Sequence, residues 1–349
     1  MPKPTDNSNS LRHVAELAGV SVATASRVMS GSSHPVSDRT REKVLSAANT
    51  LSFEPNRLAR ALVTARSQTV GVMVHDISDP YFGDIVKGLE DGLAPHDYRL
   101  FVSSSERDPA KELDYLRAFQ AHQVDAIVLA ASSITDPDYT KALETIAGRF
   151  RSRGGVMVAL SDHTLEMPRV RFDNRKAVSE MIGYLAERGH RHVGYIGGPA
   201  DLEVSAVRRA GFEAAVAEFG LAAGAEYVVD GGFTVTGGEL AMARLLKTTH
   251  VTAVLAANDL MAIGATRHLL ANEIAVPDEV SVAGFDDIPL AAYGPVPLTT
   301  MRVPTYEIGR RGAALLLGVL DGEEPEDVVL TGEIVERESV GAAPAPAGA

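Results

Sequence analysis

The 349-residue sequence contains no cysteine, and aromatic residues make up only 5% of it. Without cysteine the chain has no disulfides, no thiolate metal ligands and no cysteine nucleophiles. The polar start, MPKPTDNSNS, has no apolar stretch typical of a secretory signal, and no later apolar run approaches the length of a membrane span. We therefore expect a soluble cytoplasmic protein with no membrane partner and a core of aliphatic residues.

Signatures of catalysis are missing as well. No G-x-G-x-x-G follows the first apolar strand pattern, and neither a G-x-x-x-x-G-K-[ST] loop nor a G-x-S-x-G nucleophile elbow occurs. The ten histidines show no metal-ligand spacing. His190 and His192 lie two apart beside a strand pattern, where a surface or helix-end role is more common than metal binding. We expect no enzyme, no cofactor and no metal.

Positive charge is scarce in most of the chain, and the net charge is −13. Residues 1–69 differ: they hold nine Lys or Arg against five Asp or Glu, a balance of +4, which leaves −17 on the remainder. A basic head can approach phosphates while an acidic body is repelled from them. This asymmetry is compatible with a nucleic-acid partner for the head, and phosphate contacts of this kind weaken with salt.

Residues 11–28, LRHVAELAGVSVATASRV, have the spacing of a helix-turn-helix. Ala15 falls where the two helices cross and only a small side chain fits, and Gly19 falls at the turn, where a positive φ is needed. The inward positions are apolar, namely Val20, Ala25 and Val28. The other positions of the second helix are small, polar or basic, as suits entry into a DNA major groove: Ser21, Val22, Ala23, Thr24, Ser26 and Arg27. The alternative is a generic helical hairpin.

A third helix and a linker complete the head. Ser37 is placed to cap a helix that runs to about residue 51, which predicts a three-helix domain over 1–54. Residues 55–69 follow as a linker whose short basic helix, NRLARAL, would be marginal alone in water. We expect it to order only when something holds it.

From residue 70 the pattern changes to alternating strands and helices, which predicts an α/β body with doubly wound parallel sheets. About 270 residues are too many for one such sheet, so two lobes are expected over 70–340. We assign about 70–160 plus 290–320 to an N-lobe and about 163–287 plus 323–340 to a C-lobe. Residues 341–349, rich in Pro and Ala, are expected to be a disordered tail.

Polar and aromatic residues follow several of the predicted strands. Ligands of two-lobed α/β proteins bind at the carboxyl ends of the strands, where the lobes face each other. Rings with Asp and Arg around them suit a hydroxyl-rich ligand. The residues in question are Asp79, Tyr81, Phe82, Asp162, Arg208, Phe233, Asp259 and the pair Asp286 and Asp287. Each has a structural alternative, such as capping a helix, pairing with a surface charge or filling the core.

The chain resembles regulators of the LacI/GalR family from about residue 11 to 340. The motifs that carry the resemblance are VAELAGVSVATASRVMSG, SDRTREKVLSAANTLSFEPNRLARAL, DPYF, AGFEAA, AANDLMAIGA, VSVAGFDD and LTTMRVPTYEIGRRGAALLL. The resemblance implies a body similar to periplasmic sugar-binding proteins and a homodimer that places one head on each half of a palindromic operator. It leaves open whether dimers pair into tetramers.

The resemblance also implies roles for individual residues. In the head, Val22, Ala23 and Arg27 would read bases. In the linker, Leu62 would wedge into the central base step from the minor groove, with Asn56 and Arg57 contacting the DNA nearby. The matching effector positions are Asp79, Tyr81, Phe82, Asp162, Arg208, Phe233 and Asp259.

The sequence therefore predicts a DNA-binding transcriptional repressor controlled by a small-molecule effector, preferably a sugar or sugar derivative. A nucleobase or nucleoside effector is the alternative. It is less favoured, because Leu202 and Val204 stand where purine-responsive members use polar contacts. A solute-binding receptor without DNA function would have no use for the basic head and would need an export signal. An α/β enzyme, the third possibility, lacks a catalytic signature.

Overall fold

The computed structural model describes residues 10–29, 34–53 and 66–345. These residues form two compact units that divide between Ser67 and Gln68. The predicted fold class, a three-helix head followed by an α/β body, is confirmed. The linker positions Asn56, Arg57 and Leu62 lie outside the described residues.

The head consists of three short helices, α1 (Leu11–Ala18), α2 (Val22–Met29) and α3 (Asp38–Thr50). Its core is formed by the small and branched residues that the spacing places inward: Val14, Ala15, Ala18, Ala25, Val28, Val44, Ala47 and Ala48. The side chain of Ser37 accepts a hydrogen bond from the backbone of Thr40 and caps α3, as predicted. Gly19 ends α1 with φ +64°, which a residue without Cβ adopts at little cost.

The N-lobe of the body is a four-stranded parallel sheet with the order β2-β1-β3-β4. Its strands are β1 (Thr69–Val74), β2 (Arg99–Ser104), β3 (Ala126–Leu129) and β4 (Val156–Ala159). The helices that follow the first three strands are α4 (Pro80–Leu93), α5 (Pro109–Ala121) and α6 (Pro137–Arg151). Every residue of β3 is buried, as expected for a strand covered by helices on both faces.

The C-lobe is a six-stranded sheet with the order β12-β10-β9-β8-β6-β7, in which only the pairing of β10 with β12 is antiparallel. Its strands are β6 (Val193–Gly197), β7 (Val228–Asp230), β8 (Ala253–Ala256), β9 (Ser281–Asp286), β10 (Thr299–Arg302) and β12 (Glu333–Val335). The helices are α7 (Asn174–Glu187), α8 (Glu203–Glu218), α9 (Val235–Thr248) and α10 (Asp259–Ala271).

The chain passes between the lobes three times. It leaves the N-lobe after β4, returns after β10 to form α11 (Thr305–Leu320), and crosses again to β12. Two short strands on these passages, β5 (Val170–Phe172) and β11 (Val328–Leu330), pair in parallel. Helix α11 packs on α4 of the N-lobe, where a Cβ at Gly88 or Gly309 would meet the backbone of the other helix.

Two of the predicted boundaries are wrong. The range assigned to the N-lobe, 290–320, includes β10, but Thr299 and Thr300 are fully buried in the C-lobe sheet beside β9, and only α11 belongs to the N-lobe side. The predicted disordered tail begins with residues that bind the body. Gly341 donates its backbone N–H to Ser281 Oγ at 3.1 Å, and Ala343 donates to the carbonyl of Arg188 at 2.9 Å. Hydrogen bonds to the C-lobe therefore hold the start of this segment.

Candidate functional site

The second helix of the head presents a polar face on one side. Ala25 and Val28 are buried, whereas five of the six predicted DNA-binding positions are exposed: Ser21, Val22, Ala23, Ser26 and Arg27. Thr24 is partly buried in the first turn of α2, and its backbone N–H donates to Ser21 Oγ at 3.1 Å, so Ser21 caps the helix. The side of α2 that is predicted to enter a major groove is therefore exposed and does not form part of the core of the head.

The body contains a cavity of about 660 Å³, open solvent at its mouth included, at the carboxyl ends of its parallel strands. Residues of both lobes line it. Six of the seven predicted effector positions line this cavity: Asp79, Tyr81, Phe82, Asp162, Arg208 and Phe233.

The N-lobe contributes a carboxylate and two rings from the start of α4. Asp79 caps this helix, because its Oδ1 accepts a hydrogen bond from the backbone of Tyr81 at 3.0 Å. The rings of Tyr81 and Phe82 pack edge to face with centroids 5.1 Å apart. Burial raises the pKa of Asp79, and it also raises that of Asp162, which lies beyond β4. Asp79 therefore both caps α4 and lines the cavity.

The C-lobe contributes Arg208, whose guanidinium is almost fully hydrogen-bonded. Its Nε donates to Asn174 Oδ1 at 2.7 Å, Nη1 donates to the carbonyl of Ala257, and Nη2 lies 3.5 Å from Asp286 Oδ1. Its Cζ lies 4.0 Å from the centroid of the Phe285 ring. A guanidinium fixed at every nitrogen is preorganised, so little side-chain entropy remains to be lost when a ligand binds.

Phe233 provides the main ring of the C-lobe wall. It lies in the turn before α9 with φ +58°, an unusual conformation for a residue with a bulky side chain. Its backbone N–H points to the sulfur of Met261 at 3.3 Å. The Cζ of Arg107, from the N-lobe, lies 5.7 Å from the centroid of its ring, so the two lobes meet here by a cation–π contact.

The prediction for Asp259 is wrong. This residue is fully buried and does not line the cavity. Its Oδ1 accepts from Thr300 Oγ1 at 2.6 Å and its Oδ2 from the backbone of Ile288 at 2.8 Å, so it ties α10 to the segments around β9 and β10. Burial raises the pKa of Asp259 to about 7. Its neighbour Asn258 is the residue that lines the cavity.

Sequence reasoning did not single out three other residues that line the cavity, His75, Arg107 and Asn174. His75 directly follows β1, so the strand-end rule that found Asp79 would also have found it. Burial, and then the charge of Arg107, lower the pKa of His75 to about 3, and the imidazole is therefore neutral. The Nε of Arg107 is buried and has no hydrogen-bond partner among the described residues.

Asp286 also lines the cavity, although a structural role was the preferred interpretation of this residue from the sequence. It ends β9 with φ +112° and is 8% exposed. Burial raises its pKa well above the ordinary value, and the nearby Arg208 opposes this rise. Its neighbour Asp287 is structural: it pairs with Arg302 at 2.7 Å and with Arg337 at 2.6 Å.

The two lobes are joined beside the cavity by a short set of hydrogen bonds, which we call the interlobe clasp (residues 132–135 with 201–204). Thr135 donates from its backbone N–H to the carbonyl of Asp201 at 2.8 Å, and its Oγ1 donates to the same carbonyl at 3.0 Å. Val204 donates its N–H to Ser132 Oγ at 3.0 Å. Ser132 and Val204 also line the cavity, together with Leu202, so the clasp forms part of its wall.

This arrangement suits binding of a hydroxyl-rich molecule. Carboxylates, amide oxygens and a fixed guanidinium can bond to hydroxyl groups, and the rings can cover C–H faces. In the part of the chain that the structure describes, no group of three or more His, Cys, Asp or Glu is placed to hold a metal ion. Within the same ranges, no helix is both long and apolar enough to span a bilayer.

Two family descriptions match the chain. Residues 10–56 match "Bacterial regulatory proteins, lacI family", and residues 182–340 match "Periplasmic binding protein-like domain". The chain is 35% identical over 316 residues to the HTH-type transcriptional regulator GalS of Salmonella typhimurium, covering 89% of this chain and 91% of GalS.

Two solved structures are similar over 95% of this chain and 99% of theirs. One is the transcriptional regulator CelR in complex with cellobiose, with 31% identity and a TM-score of 0.68. The other is the lac repressor dimer bound to operator and the anti-inducer ONPF, with 25% identity and a TM-score of 0.84. The head and the body of the chain thus have counterparts joined in the same order in other proteins.

Proposed function

The chain belongs to the lacI family of bacterial regulatory proteins and is a DNA-binding transcriptional regulator, and we propose that a sugar or sugar derivative bound in the body cavity controls its hold on an operator. The observation that carries this proposal is the convergence of six predicted effector residues on one cavity, in a chain whose head exposes a helix-turn-helix face. Because an operator is chromosomal, we place this action in the cytoplasm.

In the head, Val22, Ala23 and Arg27 contact base edges, and Ser21, Thr24 and Ser26 contact the DNA nearby. The side chain of Val22 is 47% exposed, so it is accessible to a DNA duplex, as this assignment requires. The lac repressor, which is a dimer in its operator complex, supports a homodimer on a palindromic site.

For the linker, the family resemblance supports a role in DNA contact. Asn56 and Arg57 contact DNA, and Leu62 inserts into the central base step of the minor groove. Replacing Leu62 with Ala should lower affinity for the specific operator and spare non-specific binding, because only the specific complex gains from the kink. Equal losses on both DNAs would show that Leu62 has no wedge role.

A carbohydrate fits the cavity better than a nucleobase does. Leu202 and Val204 offer no hydrogen bonds to a planar heterocycle from their side of the wall, whereas Asp79, Asp286 and Arg208 surround the rings with groups that bond hydroxyls. The complex of CelR with cellobiose is consistent with a sugar in this class of cavity. A nucleobase or nucleoside effector is the second candidate.

The mechanism is linkage between the cavity and the head. An effector that binds both lobes favours one arrangement of the lobes, and that arrangement favours or disfavours DNA binding. By reciprocity, operator DNA must change effector affinity by the same factor. Either sign of the coupling is compatible with the geometry.

The test is DNA binding by the full-length protein, measured by fluorescence anisotropy on its own upstream DNA and on a scrambled duplex at several salt concentrations. We expect tighter binding to the upstream DNA, and a smaller difference in affinity between the two duplexes in Arg27→Ala, because that variant loses a base contact. Arg117→Ala, at an exposed arginine of α5 on the body, is the matched control and should leave this difference unchanged. Equal affinity for both duplexes would contradict operator recognition.

The effector class is tested by a thermal-shift screen of sugars, nucleobases and nucleosides, because a ligand of the native state raises the melting temperature. We expect a carbohydrate hit that changes operator affinity in the anisotropy assay. A nucleobase hit with no carbohydrate hit would favour the second candidate.

A further inference from the structure

We infer that the second helix of the head reads the C5 methyl groups of pyrimidines, so that operator affinity depends on thymine methyls and responds to methylation of cytosine at C5. This inference rests on the proposed function, because it specifies what the head recognises in its operator. It concerns four exposed residues of α2, which we call the reading face: Val22, Ala23, Ser26 and Arg27.

The reading face lies away from the packed side of α2. With 3.6 residues per turn, its four residues cover an arc of about 140° around the helix axis. Ala25 and Val28, which are buried in the core of the head, both lie outside this arc. The reading face can therefore contact a duplex without any change in the core.

The start of the reading face is apolar. The side chain of Val22 is 47% exposed, and its neighbour Ala23 is exposed as well, at the end of the helix from which base edges are reached. Neither side chain can donate or accept a hydrogen bond. The hydroxyls beside them are already engaged, because Ser21 Oγ and Thr24 Oγ1 bond to each other at 2.9 Å and Ser21 Oγ also caps the helix. The first turn of α2 therefore offers base edges an apolar surface.

The apolar group that a major groove presents is the C5 methyl of thymine. The other groups on the base edges are hydrogen-bond donors and acceptors, and each would lose water without compensation beside Val22 or Ala23. Phosphate oxygens fit this surface no better, because they are charged acceptors. We therefore expect a base that faces Val22 or Ala23 to carry a methyl group, while Arg27, the single basic residue of α2, suits a guanine edge.

The same chemistry predicts a response to DNA methylation. Thymine and 5-methylcytosine carry the same methyl group at C5 and differ at position 4, where thymine accepts a hydrogen bond and cytosine donates one. Val22 and Ala23 form no hydrogen bonds and so do not distinguish the two bases at position 4. Methylation of a cytosine that faces either residue should therefore raise the affinity of the head for that site.

The experiment is fluorescence anisotropy with the full-length protein at one fixed salt concentration, after footprinting has located the operator within the upstream DNA. Each thymine of the protected site is replaced in turn by uracil, which lacks only the methyl group. We expect at least one replacement in each half of the operator to lower the affinity about fourfold, as for the loss of one buried methyl group. At the same position 5-methylcytosine should bind about fourfold more tightly than cytosine.

Two variants locate the contact on the reading face. Val22→Ala shortens the exposed side chain and keeps a residue that favours helix, and Ala23→Ser adds a hydroxyl to the second apolar position. The ratio of thymine to uracil affinity should fall toward one in at least one of these variants. Leu17→Ala is the matched control, because Leu17 is an apolar residue of the same head that is 55% exposed on α1. It should leave the ratio unchanged, and a melting curve checks that each variant is folded.

Three outcomes would overturn the inference. They are an operator in which no replacement of thymine by uracil changes the affinity, an unchanged ratio in both Val22→Ala and Ala23→Ser, and a cytosine that binds as tightly as 5-methylcytosine at the sensitive position. In each of these cases, tighter binding to the upstream DNA than to a scrambled duplex would still support the proposed function. Equal affinity for those two duplexes would contradict the proposed function and the inference together.

Discussion

Nη2 of Arg208 lies 3.5 Å from Oδ1 of Asp286 inside the body, and the two side chains are only 6% and 7% exposed. Each charge depends on the other, because an unpaired charge at such depth is strongly unfavourable. Both residues line the cavity, so we expect the same ion pair to influence the stability of the C-lobe and the binding of the proposed effector.

The first prediction concerns this pair. Arg208→Met should lower the free energy of unfolding by up to about 3 to 5 kcal/mol at high pH, because it leaves the Asp286 carboxylate buried without its cation. The loss should be smaller at low pH, because Asp286, whose pKa burial already raises, can then take up a proton. Effector binding should be lost, while operator binding persists below the melting temperature of the variant. Urea unfolding, calorimetry with the effector and anisotropy with operator DNA measure the three effects.

The adjacent Arg209→Met is the control for this experiment. Arg209 is half-exposed and pairs with Glu213 one turn along the same helix. Such pairs contribute little, typically under about 0.5 kcal/mol. If the two methionine variants lose stability and effector binding to the same extent, the buried pair has no special role.

The second prediction concerns pH. Burial raises the pKa of Asp259 to about 7 from the ordinary 3.8, so the folded protein binds this proton more tightly than the unfolded chain does. The resulting stabilisation is complete below pH of about 4 and is lost as the pH rises through about 7. Between pH 5.5 and 7.5 we expect Asp259 to account for a loss of about 2 kcal/mol in the free energy of unfolding.

Asp259→Asn tests this directly. The amide cannot ionise, so the variant should lose less stability than the native protein between pH 5.5 and pH 7.5. At pH 5.5 it should be less stable, because its NH2 group cannot accept one of the two hydrogen bonds that the Asp259 oxygens accept. Denaturant unfolding at both pH values gives the difference, and Asp278→Asn, at an exposed position, is the control. An identical change with pH in the native protein and in Asp259→Asn would mean that Asp259 is ionised in the folded state throughout.

The sequence predicted the elements and most of the site because both follow from local rules. The spacing of Ala15 and Gly19 gave the helix-turn-helix, and the rule that ligands meet strand ends gave six of the residues that line the cavity. That rule specifies an end of a strand and not the direction of a side chain. Asn258 and Asp259 both follow β8, yet only the first faces the cavity, because the second points toward Thr300.

Contacts between residues far apart in the chain could not be predicted in this way, because local patterns do not contain them. Strand β10 reads like any short strand, and only its pairing with β9 assigns it to the C-lobe. Arg107 follows β2 in a segment with positive φ at two successive residues, and nothing in its local sequence indicates that it faces Phe233 of the other lobe. The start of the predicted tail is ordered by a serine 60 residues earlier in the chain.

The third prediction concerns the turn of the head. Gly19 has φ +64°, and an added Cβ would meet no atom within 4 Å, so Gly19→Ala carries only the cost of the left-handed backbone, about 1 kcal/mol. Gly148→Ala is the matched control, because it is equally unobstructed but lies inside α6, where alanine is favoured. Hydrogen exchange of the full-length protein should show about fivefold lower protection of α1 and α2 in Gly19→Ala only.

The last prediction concerns the interlobe clasp. Thr135→Val keeps the shape of the side chain and the backbone bond to Asp201 but removes the Oγ1 donor, and Ser132→Ala removes the acceptor of the Val204 N–H. Because these bonds join the lobes at the wall of the cavity, we expect each variant to weaken effector binding about three- to tenfold, which matches one hydrogen bond of about 1 kcal/mol. Thr140→Val is the control, since its Oγ1 bonds within α6 to the carbonyl of Asp136. Calorimetry with the effector measures the affinity of each variant. If the clasp contributes to ligand binding, only Thr135→Val and Ser132→Ala should lose affinity. Equal affinities in all three variants would mean that the ligand binds without these contacts.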